Sequence, residues 1–403
     1  MVNLELLAPA GDFEKLKTAL YFGADAVYVG GKAFSLRALA GNFTNEELEM
    51  ATKYTHSKNK KIYVTVNIFA KNADIESATE YFKFLQEIKV DGVIISDPGL
   101  IYVCKTVAPN LSINLSTQAN TLNYKSAEFW KKMGVTRVIL ARELSFEEIK
   151  KIHTENEGLE IETFIHGAMC ISYSGRCLLS DYRAGRQSNR GACVQACRWE
   201  YSVKEKGASE YMDVEEDERG TYIFNSKDLC LVDYIDELVS SGVISFKIEG
   251  RMKSEYYLAT VINAYRRAID KYIEVGKAYR EDKLFMEELK KTAHRDFTTA
   301  YTLGENDKTV NYEDSQSKGT FNFIAKVVDK KEDHYIVEMR NRFAIGDELE
   351  VLSPSKSFNK IVKVGKMLDD FGKVVEDAKI VQQKLHFYTD VDLSVGDILR
   401  RKA

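Results

Sequence analysis

The fold is decided by residues 61–97, which read KIYVTVNIFAKNADIESATEYFKFLQEIKVDGVIISD. Apolar residues run through 61–69 and again through 92–97, as they do in the strands of a parallel sheet. Between these runs, residues 74–90 place apolar side chains at the spacing of an amphipathic helix. A strand, a helix and a second strand in this order predict a right-handed parallel βαβ unit.

The same unit recurs through the first 250 residues. Strands are predicted at 4–9, 26–30, 61–69, 92–97, 111–117, 136–142, 159–166 and 245–251. Helices are predicted between them, among others at 12–22, 44–58, 74–90, 146–156, 229–241 and 254–275. Eight such strands predict an α/β fold, a TIM-like (β/α)8 barrel, and a doubly wound open sheet is the alternative.

Polar side chains at the ends of the predicted strands favour the barrel. They are Asn67, Asp97, Gln118, Arg142, Glu143, His166, Glu249 and Arg251. In a barrel the carboxyl ends of all strands meet at one mouth, where catalytic residues are found. A single polar residue at such a position is more often a helix cap or a loop residue. The prediction of a site therefore rests on their occurrence at the ends of many strands.

Two segments depart from the βα repeat. An insertion at 167–224 holds four of the six cysteines, and loops of this length within a compact domain are usually functional. From residue 316 to 403 the apolar residues alternate with period two, at 321–328, 334–338, 347–352, 359–366, 385–389 and 397–401. We therefore predict a barrel domain over 1–310 and a small antiparallel β-barrel over 316–403.

Composition predicts a globular cytoplasmic protein. The N-terminus lacks a basic segment followed by an apolar one, and no apolar run is long enough to span a membrane. The formal net charge of −4 argues weakly against a nucleic-acid partner, although the segment after residue 316 is slightly basic. Cysteines in a reducing compartment suggest a metal site before a disulfide.

Five of the six cysteines are grouped between residues 170 and 230. They are Cys170, Cys177, Cys193, Cys197 and Cys230. Thiolates bind iron–sulfur clusters and zinc, and either metal centre takes about four of them. The spacing matches neither a ferredoxin nor a standard zinc ribbon, so both centres stay open, with the cluster preferred. Cys104 has apolar neighbours in a predicted helix and is expected in the core.

Arginines are dense in the same insertion. They are Arg176, Arg183, Arg186, Arg190 and Arg198. Guanidinium groups bind carboxylates and phosphates through paired hydrogen bonds, so the insertion is expected to contact an RNA backbone or an acidic small molecule. Solvated loop arginines are the plain alternative.

Several motifs in this order resemble the collagenase-like peptidase family U32. They are LAPAG at 7–11, ADAVY at 24–28, ARELS at 141–145, HGAMC at 166–170, YSGRC at 173–177 and NSKDLC at 225–230. The resemblance spans essentially the whole chain. It implies an oxygen-independent RNA hydroxylation enzyme with a four-iron four-sulfur cluster. The branch most similar forms 5-hydroxyuridine at the tRNA wobble position and depends on prephenate.

The resemblance also implies a ligand set. Cys170, Cys177, Cys193 and Cys230 match the cluster cysteines of the family, with Cys197 as the alternative to Cys193. Family membership leaves the acid, the base and the substrate contacts open. Those roles come from the residues themselves.

Catalytic and binding roles are assigned from side-chain chemistry. We predict that His166, Arg142 and Glu143 are catalytic, His166 as a proton donor or acceptor. The residues predicted to bind substrate are Asn67, Gln118, Tyr173, Arg176, Arg186, Arg190, Lys247, Glu249 and Arg251. Arginines at these positions suit prephenate, a dicarboxylate, as well as tRNA.

Two other functions compete with hydroxylation. A peptidase would need a nucleophile with a base, and His166 lies four residues before Cys170, which makes a Cys–His pair conceivable. The chain has neither a His-Glu-x-x-His nor a Gly-x-Ser-x-Gly motif. The third alternative is a noncatalytic RNA-binding or assembly subunit, acting as a homo-oligomer or as a heterodimer with a related protein.

Overall fold

The computed structural model describes residues 4–35, 41–169, 179–184, 216–217, 220–221, 227–280, 282–304 and 318–403. Its strands are β1 Glu5–Pro9, β2 Ala26–Gly30, β3 Lys61–Val66, β4 Gly92–Ile95, β5 Ser112–Leu115, β6 Arg137–Ile139, β7 Glu160–Ala168, β8 Glu216–Asp217, β9 Gly220–Thr221, β10 Asp228–Cys230, β11 Val243–Ile248, β12 Phe297–Thr298, β13 Phe321–Lys330, β14 Tyr335–Met339, β15 Phe343–Ala344, β16 Glu348–Leu352, β17 Ile361–Lys363, β18 Met367–Leu368, β19 Asp377–Ala378, β20 Lys384–Phe387 and β21 Ile398–Lys402.

The helices surround the first of two large sheets. They are α1 Phe13–Tyr21, α2 Asn45–Ser57, α3 Ile75–Glu87, α4 Pro98–Val107, α5 Tyr124–Lys132, α6 Phe146–Thr154, α7 Leu179–Ala184, α8 Ile235–Ser240, α9 Glu255–Val275 and α10 Lys283–Leu289. Short 3₁₀ turns lie at Asn72–Asp74, Thr117–Ala119, Val232–Tyr234 and Gly276–Ala278.

Eight parallel strands close into a barrel. Strands β1 to β7 pair with their neighbours in order, and β11 pairs in parallel with both β7 and β1. All eight strands lie where the sequence predicts them, and the predicted TIM-like barrel is confirmed. The open doubly wound sheet is excluded because β11 joins the two ends of the sheet.

Helix caps at the barrel mouth have clear sequence causes. Asp97 accepts a hydrogen bond from Leu100 N at 3.0 Å, and Pro98 occupies the first turn of α4. Ser145 and Glu148 form a reciprocal capping box at the start of α6. Asp97, one of the polar residues at the mouth, therefore has a structural role as a helix cap.

The segment around Cys230 differs from the prediction. A helix is predicted over 229–241, but Asp228–Cys230 is a strand, and the α-helix begins at Ile235. Strand β10 pairs antiparallel with the last residues of β7, with Cys230 opposite His166 and Asp228 opposite Ala168. The backbone hydrogen bonds of this pairing outweigh the local helical pattern, which is a common tertiary override.

The C-terminal region is antiparallel, as predicted. Seven strands lie in the order β17-β16-β21-β13-β14-β20-β18 and curl into a half-barrel. All six predicted strands of this region are present, and β15 and β19 form a further small pair. A second cluster of buried apolar side chains, including Val337, Leu349 and Phe387, fills this half-barrel.

Buried ion pairs join the C-terminal sheet to the barrel helices. Arg400 on β21 is fully buried and donates to Glu288 on α10 and to Glu350 on β16. Lys326 on β13 forms an ion pair with Glu255 at the start of α9. The two sheets therefore pack as one body along α9 and α10.

Across the part of the chain that the structure describes, every helix is too short or too polar for a transmembrane span.

Candidate functional site

A column of charged side chains runs through the barrel interior. Arg137 on β6 donates to Glu5 on β1 and, at 3.1 Å, to Glu162 on β7. Ser245 Oγ donates to Glu5 at 2.9 Å and to Glu162 at 3.2 Å. Lys247 Nζ lies 2.7 Å from Glu162 Oε1. Two carboxylates and two cations thus neutralise one another inside the barrel, as buried charges require.

Lys247 is the one residue of this column that the sequence analysis named as a site residue. The sequence signal of the column is charged residues at inward positions of otherwise apolar strands, as at Glu5, Arg137 and Glu162. Burial tends to raise the pKa of Glu5, but Arg137 and the hydrogen bonds from Ser245 and Tyr63 outweigh it, so the pKa is lowered. Glu5 is therefore ionised in the folded protein at neutral pH.

Lys247 is the uppermost member of the column. It lies near the carboxyl end of β11 and is only 4% exposed. Its Nζ sits 4.2 Å from the centre of the Tyr28 ring and 5.7 Å from that of Phe164. Burial lowers the pKa of Lys247, with Glu162 opposing the shift. The predicted substrate contact is thus a buried amine directly below the mouth.

Arg142 and Glu143 follow β6 at the mouth. The Arg142 guanidinium lies 4.0 Å from the Phe164 ring centre, and its Nη1 donates to Ala168 O at 2.6 Å. Its Nε is buried and has no hydrogen-bond acceptor among the described residues. Burial raises the pKa of Glu143, while backbone N–H groups and Arg142 oppose the rise. A guanidinium with one free N–H among the described residues and a half-buried carboxyl group therefore follow one another at the end of β6.

Arg251 occupies the opposite part of the rim. Its guanidinium donates to Ser35 Oγ at 2.8 Å, to Thr65 Oγ1 at 3.2 Å and to Asn42 Oδ1 at 3.1 Å. A Cβ on Gly30 would lie 2.4 Å from Arg251 Nη1, so a larger residue there would push this guanidinium aside. Arg251 is 3% exposed, which places it inside the rim.

The other polar residues of the rim have defined neighbours. Glu249 Oε2 accepts from the Tyr28 hydroxyl at 3.4 Å, and its backbone N donates to His166 O at 2.9 Å. Gln118 is buried in the 3₁₀ turn after β5, where Ser116 Oγ donates to its Oε1. Asn67 is half-buried just after β3. The structure brings the predicted rim residues to one end of the barrel.

His166 lies in an aromatic cage. Its ring centre is 5.4 Å from Tyr265, 5.6 Å from Phe297 and 6.0 Å from Tyr257. The side chain is 1% exposed, and its Nδ1 is 3.4 Å from the Tyr265 hydroxyl. Burial lowers the pKa of His166 to about 3, so the imidazole is neutral at pH 7. The catalytic role predicted for it stays a prediction.

Cys230 lies beside this cage. Its thiol is buried, 3.7 Å from the Tyr265 hydroxyl, and burial raises its pKa to about 12. Such a thiol is protonated until a metal ion replaces the proton. Cys104 is fully buried in α4, which confirms its placement in the core.

The remaining predicted ligands and insertion contacts lie outside the described residues. They are Cys170, Cys177, Cys193, Cys197, Tyr173, Arg176, Arg186 and Arg190. Within the described residues no three metal-binding side chains come together. The donor chemistry of Cys230 fits a thiolate-bound metal, and β10 places Cys230 opposite His166, near the end of β7.

Two family models match the chain. One is described as peptidase family U32 and matches residues 11–312, and the other as the peptidase family U32 C-terminal domain, matching residues 320–400. The tRNA hydroxylation protein P1 of Bacillus subtilis is 40% identical over 405 residues, covering 98% of this chain and 94% of the relative.

Two further relatives carry other names. A 23S rRNA 5-hydroxycytidine synthase of Escherichia coli is 32% identical over 87% of this chain and 52% of its own length. A protein of Porphyromonas gingivalis named collagenase is 33% identical over 75% of this chain and 74% of its own length. The names of the relatives thus cover two RNA hydroxylation activities and one proteolytic activity.

Proposed function

The chain belongs to peptidase family U32, and from this premise we propose that it is an RNA-hydroxylating enzyme. The narrower proposal is that it forms 5-hydroxyuridine at the wobble position of tRNA in the cytoplasm. The observation that carries the proposal is the near-full-length similarity to a tRNA hydroxylation protein. The rRNA-modifying relative supports the reaction type, but this chain spans only half of it, which favours tRNA as the substrate.

We propose that the cofactor is a four-iron four-sulfur cluster. Cys170, Cys177, Cys193 and Cys230 would hold it, with Cys197 as the alternative to Cys193, and a zinc ion is the competing centre. A bound cluster supplies one-electron chemistry. The buried thiol of Cys230 supports this assignment because burial keeps solvent away from a thiolate ligand.

Prephenate is proposed as the co-substrate. The barrel mouth has side chains that could bind its carboxylates and transfer a proton. Arg142 has a buried Nε without an acceptor among the described residues. Glu143, whose pKa is raised by burial, suits proton transfer at the rim. Arg251 and Glu249 line the same end of the barrel. The insertion residues Tyr173, Arg176, Arg186 and Arg190 are proposed to contact the RNA.

The test is nucleoside analysis of tRNA from a bacterium that lacks its own tRNA hydroxylation protein. Expression of this chain is expected to restore 5-hydroxyuridine, detected by mass spectrometry of digested tRNA. Arg142→Gln is expected to abolish the product, whereas Lys150→Gln on the exposed face of α6 leaves it unchanged. If the protein is expressed in soluble form but no new hydroxylated nucleoside is found in tRNA or rRNA, the proposal is refuted.

Proteolysis is the second candidate, because one relative is named collagenase. The environment of His166 argues against a Cys–His pair open to a peptide, since the imidazole is 1% exposed and enclosed by aromatic rings. Digestion of gelatin by the purified chain, lost in Cys170→Ala, would favour the peptidase.

A further inference from the structure

The amine of Lys247 lies inside the barrel rather than at the surface. It is buried near the carboxyl end of a barrel strand, where catalytic residues of such barrels lie. An ammonium group carries three protons, and among the described residues Glu162 is its one hydrogen-bond acceptor, at 2.7 Å. The walls beside it are the aromatic rings of Tyr28 and Phe164.

Glu162 accepts hydrogen bonds from other donors besides Lys247. Its other oxygen, Oε2, accepts hydrogen bonds from Arg137 at 3.1 Å and from Ser245 at 3.2 Å. Burial and the nearby Arg137 charge both favour the neutral amine, against the pull of Glu162. A desolvated lysine near a second cation is a recognised way to activate an amine for attack on a carbonyl group.

Arg142 has a guanidinium edge that could bind a carboxylate, next to the Phe164 ring that Lys247 also contacts. Its Nη1 is used on Ala168 O, but its Nε is buried and lacks an acceptor among the described residues. The Nε edge of a guanidinium is one of the edges that bind a carboxylate through two parallel hydrogen bonds. Arg142 and Lys247 contact the same Phe164 ring, at 4.0 Å and 5.7 Å from its centre. Both groups therefore border the same aromatic ring.

We propose that Lys247 captures the ketone of a 2-oxo acid as an imine while Arg142 holds the adjacent carboxylate. Glu162 takes the ammonium proton, and the free amine attacks the ketone carbon, forming a C–N bond. The carbonyl oxygen leaves as water with the two remaining amine protons. Glu162 then returns its proton to the imine nitrogen. The step needs no oxidant or reductant.

Prephenate contains a 2-oxo acid group, so in its biological setting this inference rests on the proposed function. Its chemistry does not require RNA, and the test is run without RNA. Failure of imine formation would therefore leave the hydroxylation proposal standing, and failure of hydroxylation would leave the imine measurable.

Reductive trapping tests the imine. The full chain, purified without oxygen, is incubated with pyruvate and sodium cyanoborohydride, which reduces imines. We expect one carboxyethyl group per chain, mapped to Lys247 by peptide mass spectrometry and formed about tenfold or more faster than on any other lysine. Lys247→Arg keeps a cation against Glu162 and is expected to lose this adduct. Lys150→Arg, an exposed control, is expected to keep it.

Acetone, a ketone without a carboxylate, isolates the contribution of Arg142. Arg142→Gln is expected to slow trapping of dilute pyruvate about tenfold or more, the value of one charge-assisted contact, without slowing trapping of acetone. Equal loss with both ketones would overturn the role given to Arg142. An unmodified Lys247 in the wild-type chain, with adducts spread over exposed lysines, would overturn the proposal even if Lys247→Arg did not fold.

Discussion

Removing Arg137 tests the charged column inside the barrel. In Arg137→Met the buried Glu5 loses its nearest cation, although Lys61 Nζ stays 3.8 Å away and Ser245 and Tyr63 still donate to it. Glu162 keeps its ion pair with Lys247. Breaking a buried ion pair on one side typically costs about 3–5 kcal/mol, because the remaining charge stays buried without its partner. Since both carboxylates keep some donors, we expect the lower end, about 3 kcal/mol of unfolding free energy at pH 7.

The penalty is expected to depend on pH. The folded-state pKa of Glu5 is lowered, so its ionised form contributes stability above the unfolded pKa of about 4.3, and that stability is lost as pH falls through the folded pKa. In Arg137→Met this contribution is already missing. The difference in stability between wild type and variant should therefore shrink as pH falls below about 4.

Urea unfolding followed by circular dichroism measures this difference from the shift in midpoint at equal slope. Arg342→Met is the matched control, because Arg342 pairs with Asp377 at an exposed position and exposed pairs contribute little. Adding Glu5→Gln to Arg137→Met should restore part of the lost stability by removing a buried carboxylate charge that has lost its nearest cation. A loss below about 1 kcal/mol at pH 7, or a loss that stays as large well below pH 4 as at pH 7, would contradict this prediction.

Three further predictions follow from single sites. Gly30→Ala should displace Arg251 and lower the unfolding midpoint and tRNA hydroxylation, whereas Gly365→Ala, with open space around its Cα, should change neither. Iron bound after anaerobic purification should fall in Cys230→Ala and stay unchanged in Cys104→Ala; equal iron in both variants would contradict the ligand assignment. Arg400→Met should lower the free energy of unfolding by about 3 kcal/mol, because it leaves the buried Glu288 with Lys291 as its remaining cation; a loss below about 1 kcal/mol would contradict this.

The barrel was predictable because its signals are local and repeated. The apolar runs at 61–69 and 92–97 mark strands, and the helical spacing of 74–90 marks the crossover between them. Polar residues at successive strand ends then require a common mouth once the fold is parallel. Arg142, Glu249 and Arg251 lie at that mouth for this reason.

The interior chemistry was not predictable because it depends on contacts between distant strands. Glu5 and Arg137 are 132 positions apart, and each taken alone reads as a charged residue near the start of a strand. Cys230 reads as the entry to a helix, but its backbone pairs with His166 in a sheet. Long-range pairing of this kind leaves no periodic signal in one sequence.

The most direct test of RNA hydroxylation uses the purified chain. tRNA from cells that lack the modification is incubated without oxygen with the chain, after its iron and sulfide have been measured, and with prephenate. We predict 5-hydroxyuridine at the wobble position, dependent on prephenate and on bound iron and lost in Arg142→Gln. Unmodified tRNA, from a chain that carries about four irons and four sulfides, would contradict it.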